Sequence, residues 1–208
     1  MLLCAAVVFA GCSKDNDETP ENPEPPATGG TESSIVGDYL FSDGTHSATL
    51  NAGKTAIGVI FWQDPDKAGK GKAVSLDEGV DLQCCVEEIS YGVNSWVDGL
   101  ANTNAIKSLT DYSDTKYPAL AWCVKKGESW YQPAAGELTN ELYTAFKVDK
   151  TAFNKKLTDA GGTALSAEYY WSSSYAKYNM SPVNFANGYD SEGSSTTDKY
   201  RVRAIRAF

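Results

Sequence analysis

Nucleophilic or acid–base chemistry in this chain would have to fall on its single histidine, His46, and the serine beside it, Ser47. An activated serine needs a base within hydrogen-bond reach and an exposing turn of the Gly-x-Ser-x-Gly kind, and the flanking residues supply neither. Neighbours on a strand point to opposite faces, so these two side chains are not expected to bond, and His46 reads as a solvated turn residue. The remaining reactive groups of the main body are the thiols of Cys84, Cys85 and Cys123. Three cysteines and one remote imidazole fall short of the spaced four-ligand set that a structural zinc takes. The expectation is a non-enzymatic protein with no metal and no cofactor.

A different chemistry is concentrated near the C-terminus. Tyr175, Tyr178, Asn179, Asn184, Asn187, Tyr189, Asp190 and Ser191 lie within one short stretch. Tyrosine gives large contact area with few rotors to freeze, and Asn and Ser give adaptable hydrogen bonds, so this composition suits a ligand-binding surface. It suits a solvated loop-and-hairpin region as well. Tyr170 and Trp171, just upstream, read as core.

The first residues have another role. Met1 to Cys12 is an apolar run of signal-peptide character, too short for a bilayer span of about 20 residues. Phe9-Ala10-Gly11-Cys12 resembles the bacterial lipobox, which implies cleavage before Cys12 and lipidation of its thiol, so that residues 1–11 are signal and the membrane is met through the lipid alone. Residues 12–33 read as a tether rich in acid, Pro and Gly. From 13 to 32 one Lys stands against six acids, a net of −5 that leaves −4 of the total −9 for the rest. The run Ser13-Lys14-Asp15-Asn16-Asp17-Glu18 resembles the acidic export signal of Bacteroidota lipoproteins, which implies display on the outer face of the outer membrane. In that oxidising setting one disulfide is expected, from Cys123 to Cys84 or Cys85, because adjacent cysteines rarely bridge each other; three buried free thiols fit the same residues. Without a Lys/Arg cluster, nucleic acid is not an expected partner.

Residues 34–208 suffice for one domain. Strands are expected at Ile35 to Phe41, Ala56 to Trp62 and Ala73 to Leu76, with the Asp64-Pro65-Asp66 to Gly71 loop as a hairpin. Asp98 is placed to cap a helix running to Leu109, Pro118 to start one through Val124, and a longer one spans Ala134 to Ala160, breaking at Asp149. Strands return at Leu165 to Trp171, at Pro182 to Phe185 with Asn187-Gly188 as a type I′ turn, and at Tyr200 to Phe208, where Arg201, Arg203 and Arg206 point outward or pair with acids. The class is α+β, with short antiparallel strands and two or three helices.

Six motifs occur in series: Asp43-Gly44-Thr45, Ile57 to Phe61, Asp98 to Thr103, Trp130 to Leu138, Tyr170-Trp171-Ser172-Ser173-Ser174, and Arg201 to Phe208. In this order they resemble the Fibrobacter major paralogous domain and the C-terminal domain of the Legionella collagen-like protein, which implies a C-type-lectin-like fold. The ending is similar to the variable proteins of diversity-generating retroelements, which implies a ligand face between Ser174 and Tyr200. Relatives carry a helix-capping serine where this chain has Ala134, and a leucine at Gln132. The helix start should therefore be weaker by about 0.5 to 2 kcal/mol unless another group caps it. The lectin calcium loop finds only a faint echo in Gln63-Asp64-Pro65-Asp66, with no Trp-Asn-Asp after it, so a calcium site is not expected. The resulting expectation is a surface lipoprotein that binds a glycan or protein through its C-terminal face, with a structural or accessory subunit of an envelope or fimbrial assembly as the alternative.

Overall fold

The computed structural model describes residues 33–87, 94–176, 179–191 and 194–208. Two five-stranded sheets and four helices make an α+β fold. The first sheet holds β1 (Tyr39–Phe41), β2 (His46–Ser47), β3 (Ala56–Gln63), β4 (Gly71–Ser75) and β10 (Ile205–Ala207), in the order β10-β4-β3-β1-β2 and antiparallel throughout. The second holds β5 (Gly79–Leu82), β6 (Tyr169–Ala176), β7 (Asn179–Asn184), β8 (Tyr189–Asp190) and β9 (Tyr200–Val202), ordered β5-β9-β6-β7-β8. Its one parallel contact, Tyr170 opposite Arg201, departs from the all-antiparallel expectation.

The helices start and stop where local chemistry requires. In α1 (Gly99–Lys107), the Asp98 carboxylate accepts the Ala101 amide at 2.8 Å. Pro118 occupies the first turn of α2 (Pro118–Val124), where its missing N–H is not needed. A π-helical stretch, Glu137–Leu142, runs into α3 (Tyr143–Val148), and Asp149 ends α3 and caps α4 (Lys150–Asp159), its Oδ1 accepting from Ala152 at 2.9 Å. The long helix expected from 134 to 160 thus breaks at the expected aspartate. Gly161, with φ of 79°, turns the chain away after α4.

The segment from Tyr200 to Phe208 was expected as one strand; it is two strands in different sheets. The switch falls at Arg203 and Ala204, both fully buried. Arg203 does not point outward: it donates to the Ser75 and Leu76 carbonyls at 2.8 and 2.7 Å and to that of Thr163, and its Nε lies 3.3 Å from Glu78. Glu78 also takes Arg201 and the Tyr170 hydroxyl, the latter at 2.9 Å. A guanidinium pinned between the sheets forbids the alternation that a single exposed strand would need.

The Asn187-Gly188 turn also differs from expectation. Asn184 pairs with Tyr189, so the loop spans four residues, and only Gly188 has positive φ, at 81°. A two-residue type I′ turn would need positive φ at both centres. Phe185 is the reason: it is fully buried against Tyr143, Phe146 and Tyr170, and a two-residue turn would leave it on an outer strand.

One core cluster lies between the first sheet, α3, α4 and the inner residues of β6 and β7, among them Val59, Leu138, Phe146, Leu157, Tyr170 and Val183. A second surrounds Trp171 with Tyr117, Leu120, Trp130, Met180 and all three cysteines. Tyr170 and Trp171 are each fully buried, on opposite faces of β6, as core residues should be.

Candidate functional site

The signal and tether readings, with Cys12 and residues 1–32, and the candidate Tyr178 lie outside the described residues. The other candidates do not form one cluster. Tyr175 sits towards the tip of the β6–β7 hairpin, half-buried against the second core cluster, where the Asn94 side chain pairs with its backbone at 2.7 and 2.8 Å. Asn179 pairs with Ala176 at the same end. Asn184, Asn187, Tyr189, Asp190 and Ser191 belong to the opposite end and to the β8 edge. Two of these amides are spent on the turn: Asn184 Oδ1 accepts from Ala186 at 2.8 Å and Asn187 Oδ1 from Tyr189 at 3.0 Å. Asp190 lies opposite Val183, on the face away from Tyr189.

What the sheet does bring together is a row across four strands. Tyr169 is opposite Asn184, and Asn184 is opposite Tyr189, so the three share a face. Tyr200 of β9 extends the row, its ring 5.1 Å from that of Tyr169 and 4.7 Å from that of Trp171. At strand spacings of about 4.8 Å the row from Tyr200 to Tyr189 covers about 14 Å. Tyr189, at one end, is 73% exposed. At the other end a cleft of about 340 Å³ is lined by Val80, Asp81, Glu168, Tyr169, Lys199, Tyr200 and Arg201. Asp81 there has φ of 56°, a left-handed conformation that costs a non-glycine residue of order 1 kcal/mol or more.

Sequence reasoning missed Tyr169 and Tyr200. The usable signal was the alternation along β6: once Tyr170 is core, Tyr169 must face the other way. Tyr200 carried no local signal, because its place beside Tyr169 depends on the parallel contact between strands distant in sequence.

Cys84, Cys85 and Cys123 are buried thiols, and Cys123 is not bridged to either of the other two. The Cys84 and Cys85 sulfurs instead stand 3.2 Å apart. Burial pushes the Cys123 thiol above the usual range. His46 is not a solvated turn residue: it pairs with Leu40 in β2, and its Nδ1 lies 2.8 Å from Asp38 Oδ2. Ser47 Oγ meets Thr49, not the imidazole. Among the described residues no group of three His, Cys, Asp or Glu side chains is placed to hold a metal, and no helix is long and apolar enough to cross a membrane.

Gln132 fills the leucine position as a wholly buried amide, donating from Nε2 to the Ser172 carbonyl at 2.9 Å, while its Oε1 has no hydrogen-bond partner among the described residues. Ala134 still receives half a capping box, because Glu137 Oε2 accepts its amide at 2.9 Å. Glu137 is itself nearly buried and takes in addition the Gly99 amide, the Tyr131 hydroxyl at 2.9 Å and Lys72 at 2.9 Å. It thereby ties α1, β4 and the helix start to one carboxylate.

No protein-family model matches the chain, and no curated protein matches it. Among solved structures, a fimbrial protein from Bacteroides ovatus superposes with a TM-score of 0.58 at 20% identity, covering 83% of this chain and 48% of that one. The chain spans about half the length of that protein, and the likeness is one of fold.

Proposed function

We propose that this protein is a non-enzymatic, surface-displayed subunit or accessory component of a fimbrial or envelope assembly, tethered through lipid on Cys12. The observation that carries the reading is the fold shared with the Bacteroides ovatus fimbrial protein over most of the chain. The lipobox-like start and acidic tether agree with it, since a lipidated N-terminus would hold the folded part, from residue 34 on, at the outer membrane facing outward. Purification from the native membrane tests it: a stoichiometric protein partner that survives high salt supports the reading, and a partner-free monomer removes it. Replacement of Cys12 by alanine should release the chain from the membrane fraction; retention there would contradict the lipid anchor.

A second reading, binding of a glycan or protein ligand through the lectin-like C-terminal face, is favoured by the tyrosine row and its cleft. Tyrosine rings stack on the apolar faces of sugars, and the carboxylates of Asp81 and Glu168 can accept from hydroxyls beside them. A chelator-insensitive signal on a glycan array, lost with Tyr169→Ala, supports this reading; a blank array leaves assembly contacts as the use of the row.

A further inference from the structure

We propose that Cys84 and Cys85 are a redox site that closes to a vicinal disulfide, with Cys123 remaining a thiol. The two sulfurs are 3.2 Å apart, inside van der Waals contact, and both residues are fully buried. The segment around them is held on each side. The Gln83 carbonyl accepts from Ala119 at 3.2 Å and its Nε2 donates to the Thr196 carbonyl at 2.7 Å, while the Val86 amide donates to the Lys116 carbonyl at 3.0 Å. With the backbone fixed at Gln83 and Val86, the two thiols between them stay together.

The pair is electronically unequal. The hydrogen bond from Cys85 draws the Cys84 thiol down in pKa, and the same contact pushes Cys85 up. Cys84 is therefore the first nucleophile, and Cys123, held protonated by burial, is a poor competitor. The Cys84 thiolate attacks one sulfur of an external disulfide, either a small molecule such as oxidised glutathione or a thiol–disulfide oxidoreductase, and expels one thiolate. Cys85 then gives up its proton and attacks Cys84 Sγ in the mixed disulfide, expelling the second thiolate. Two protein thiols lose two protons and two electrons, and the reagent disulfide becomes two thiols. Both sulfurs are shielded in the folded chain, so exchange takes place during folding or on local opening.

Neighbouring Cα atoms across a trans peptide are about 3.8 Å apart, less than the roughly 4.4 to 6.8 Å of ordinary disulfides. The ring is accordingly strained and more easily reduced than a structural staple, which makes the site redox-responsive. It lies beside the backbone of Met180, the residue paired with Tyr175 near the tip of the β6–β7 hairpin.

The full chain, refolded with oxidised glutathione, alkylated in denaturant and cleaved with trypsin, decides the matter. Peptide 73–107 carries both Cys84 and Cys85, and peptide 117–125 carries Cys123. The expected result is peptide 73–107 lighter by two hydrogens and unalkylated, with peptide 117–125 alkylated once; in Cys123→Ser, peptide 73–107 should again be lighter by two hydrogens and unalkylated, with no thiol left in peptide 117–125. A cross-link from 73–107 to any other peptide, or alkylation of both adjacent cysteines after oxidative refolding, overturns the proposal. No partner or cell surface enters the experiment, so its failure leaves the assembly reading untouched.

Discussion

Ser174 Oγ accepts the Ala135 amide at 2.9 Å, so a strand residue caps a helix whose own capping position, Ala134, carries no hydroxyl. The next amide, that of Gly136, donates to the Trp96 carbonyl at 2.7 Å. The helix start is thereby satisfied by tertiary contacts, and Ser174 completes the arrangement by donating to the Ser95 carbonyl at 3.0 Å. Replacing Ser174 by alanine should cost about 1 kcal/mol in urea unfolding.

Glu78 is the counter-charge to a fully buried arginine, and its own side chain is 3% exposed. Removing it in Glu78→Ala leaves Arg203 uncompensated where β9 passes into β10, and the expected loss is about 3 to 5 kcal/mol by chemical denaturation. Arg201→Ala should cost much less, since that guanidinium is a third exposed. Equal losses would show that Arg203 is not the residue that depends on Glu78.

The fold class, the capping Asp98, the helix break at Asp149, the β3–β4 hairpin and the core assignment of Tyr170 and Trp171 were legible in the sequence, because each leaves its pattern within a short stretch of chain. The division of Tyr200 to Phe208 between two sheets was not. Alternating Arg and apolar residues read as one strand with its arginines outward or paired with acids, and the groups that make a buried Arg203 tolerable, Glu78 and the carbonyls of Ser75, Leu76 and Thr163, lie far away in sequence. The scatter of the binding candidates was not legible for a related reason. Composition identifies the residue types of a surface, but Asn184 and Asn187 serve the turn, and the row that includes Tyr189 is completed by Tyr169 and Tyr200 through strand pairing.

Asp43 offers a pH test. Hydrogen bonds from Thr45, then from Lys54, hold its carboxyl down at about 2, against a usual 3.8. A depressed folded pKa means that the turn's contribution to stability is present above about pH 4 and is lost as pH falls towards 2. Carboxyl NMR titration should find this value in the native chain and a return towards the ordinary range in Thr45→Ala; an unchanged value would assign the shift elsewhere.

Gly188 cannot be replaced cheaply. Its φ is 81°, and a Cβ there would come within 2.2 Å of the Tyr143 ring. Gly188→Ala should destabilise by about 1 to 3 kcal/mol and disturb the β7–β8 edge. Tyr189→Ala, at a ring 73% exposed, should stay within about 0.5 kcal/mol of the native chain. That makes Tyr189→Ala a usable probe of contacts made by the row, since any loss of partner or ligand retention will not reflect unfolding.

The most direct test of the assembly reading is isolation of the full-length protein from the outer membrane of the cells that make it, washed in high salt and sized with its associated proteins. The account predicts a stoichiometric protein partner that stays bound, and weaker retention of it by Tyr189→Ala. A monomer recovered alone, with the row intact and unoccupied by any protein, would contradict it.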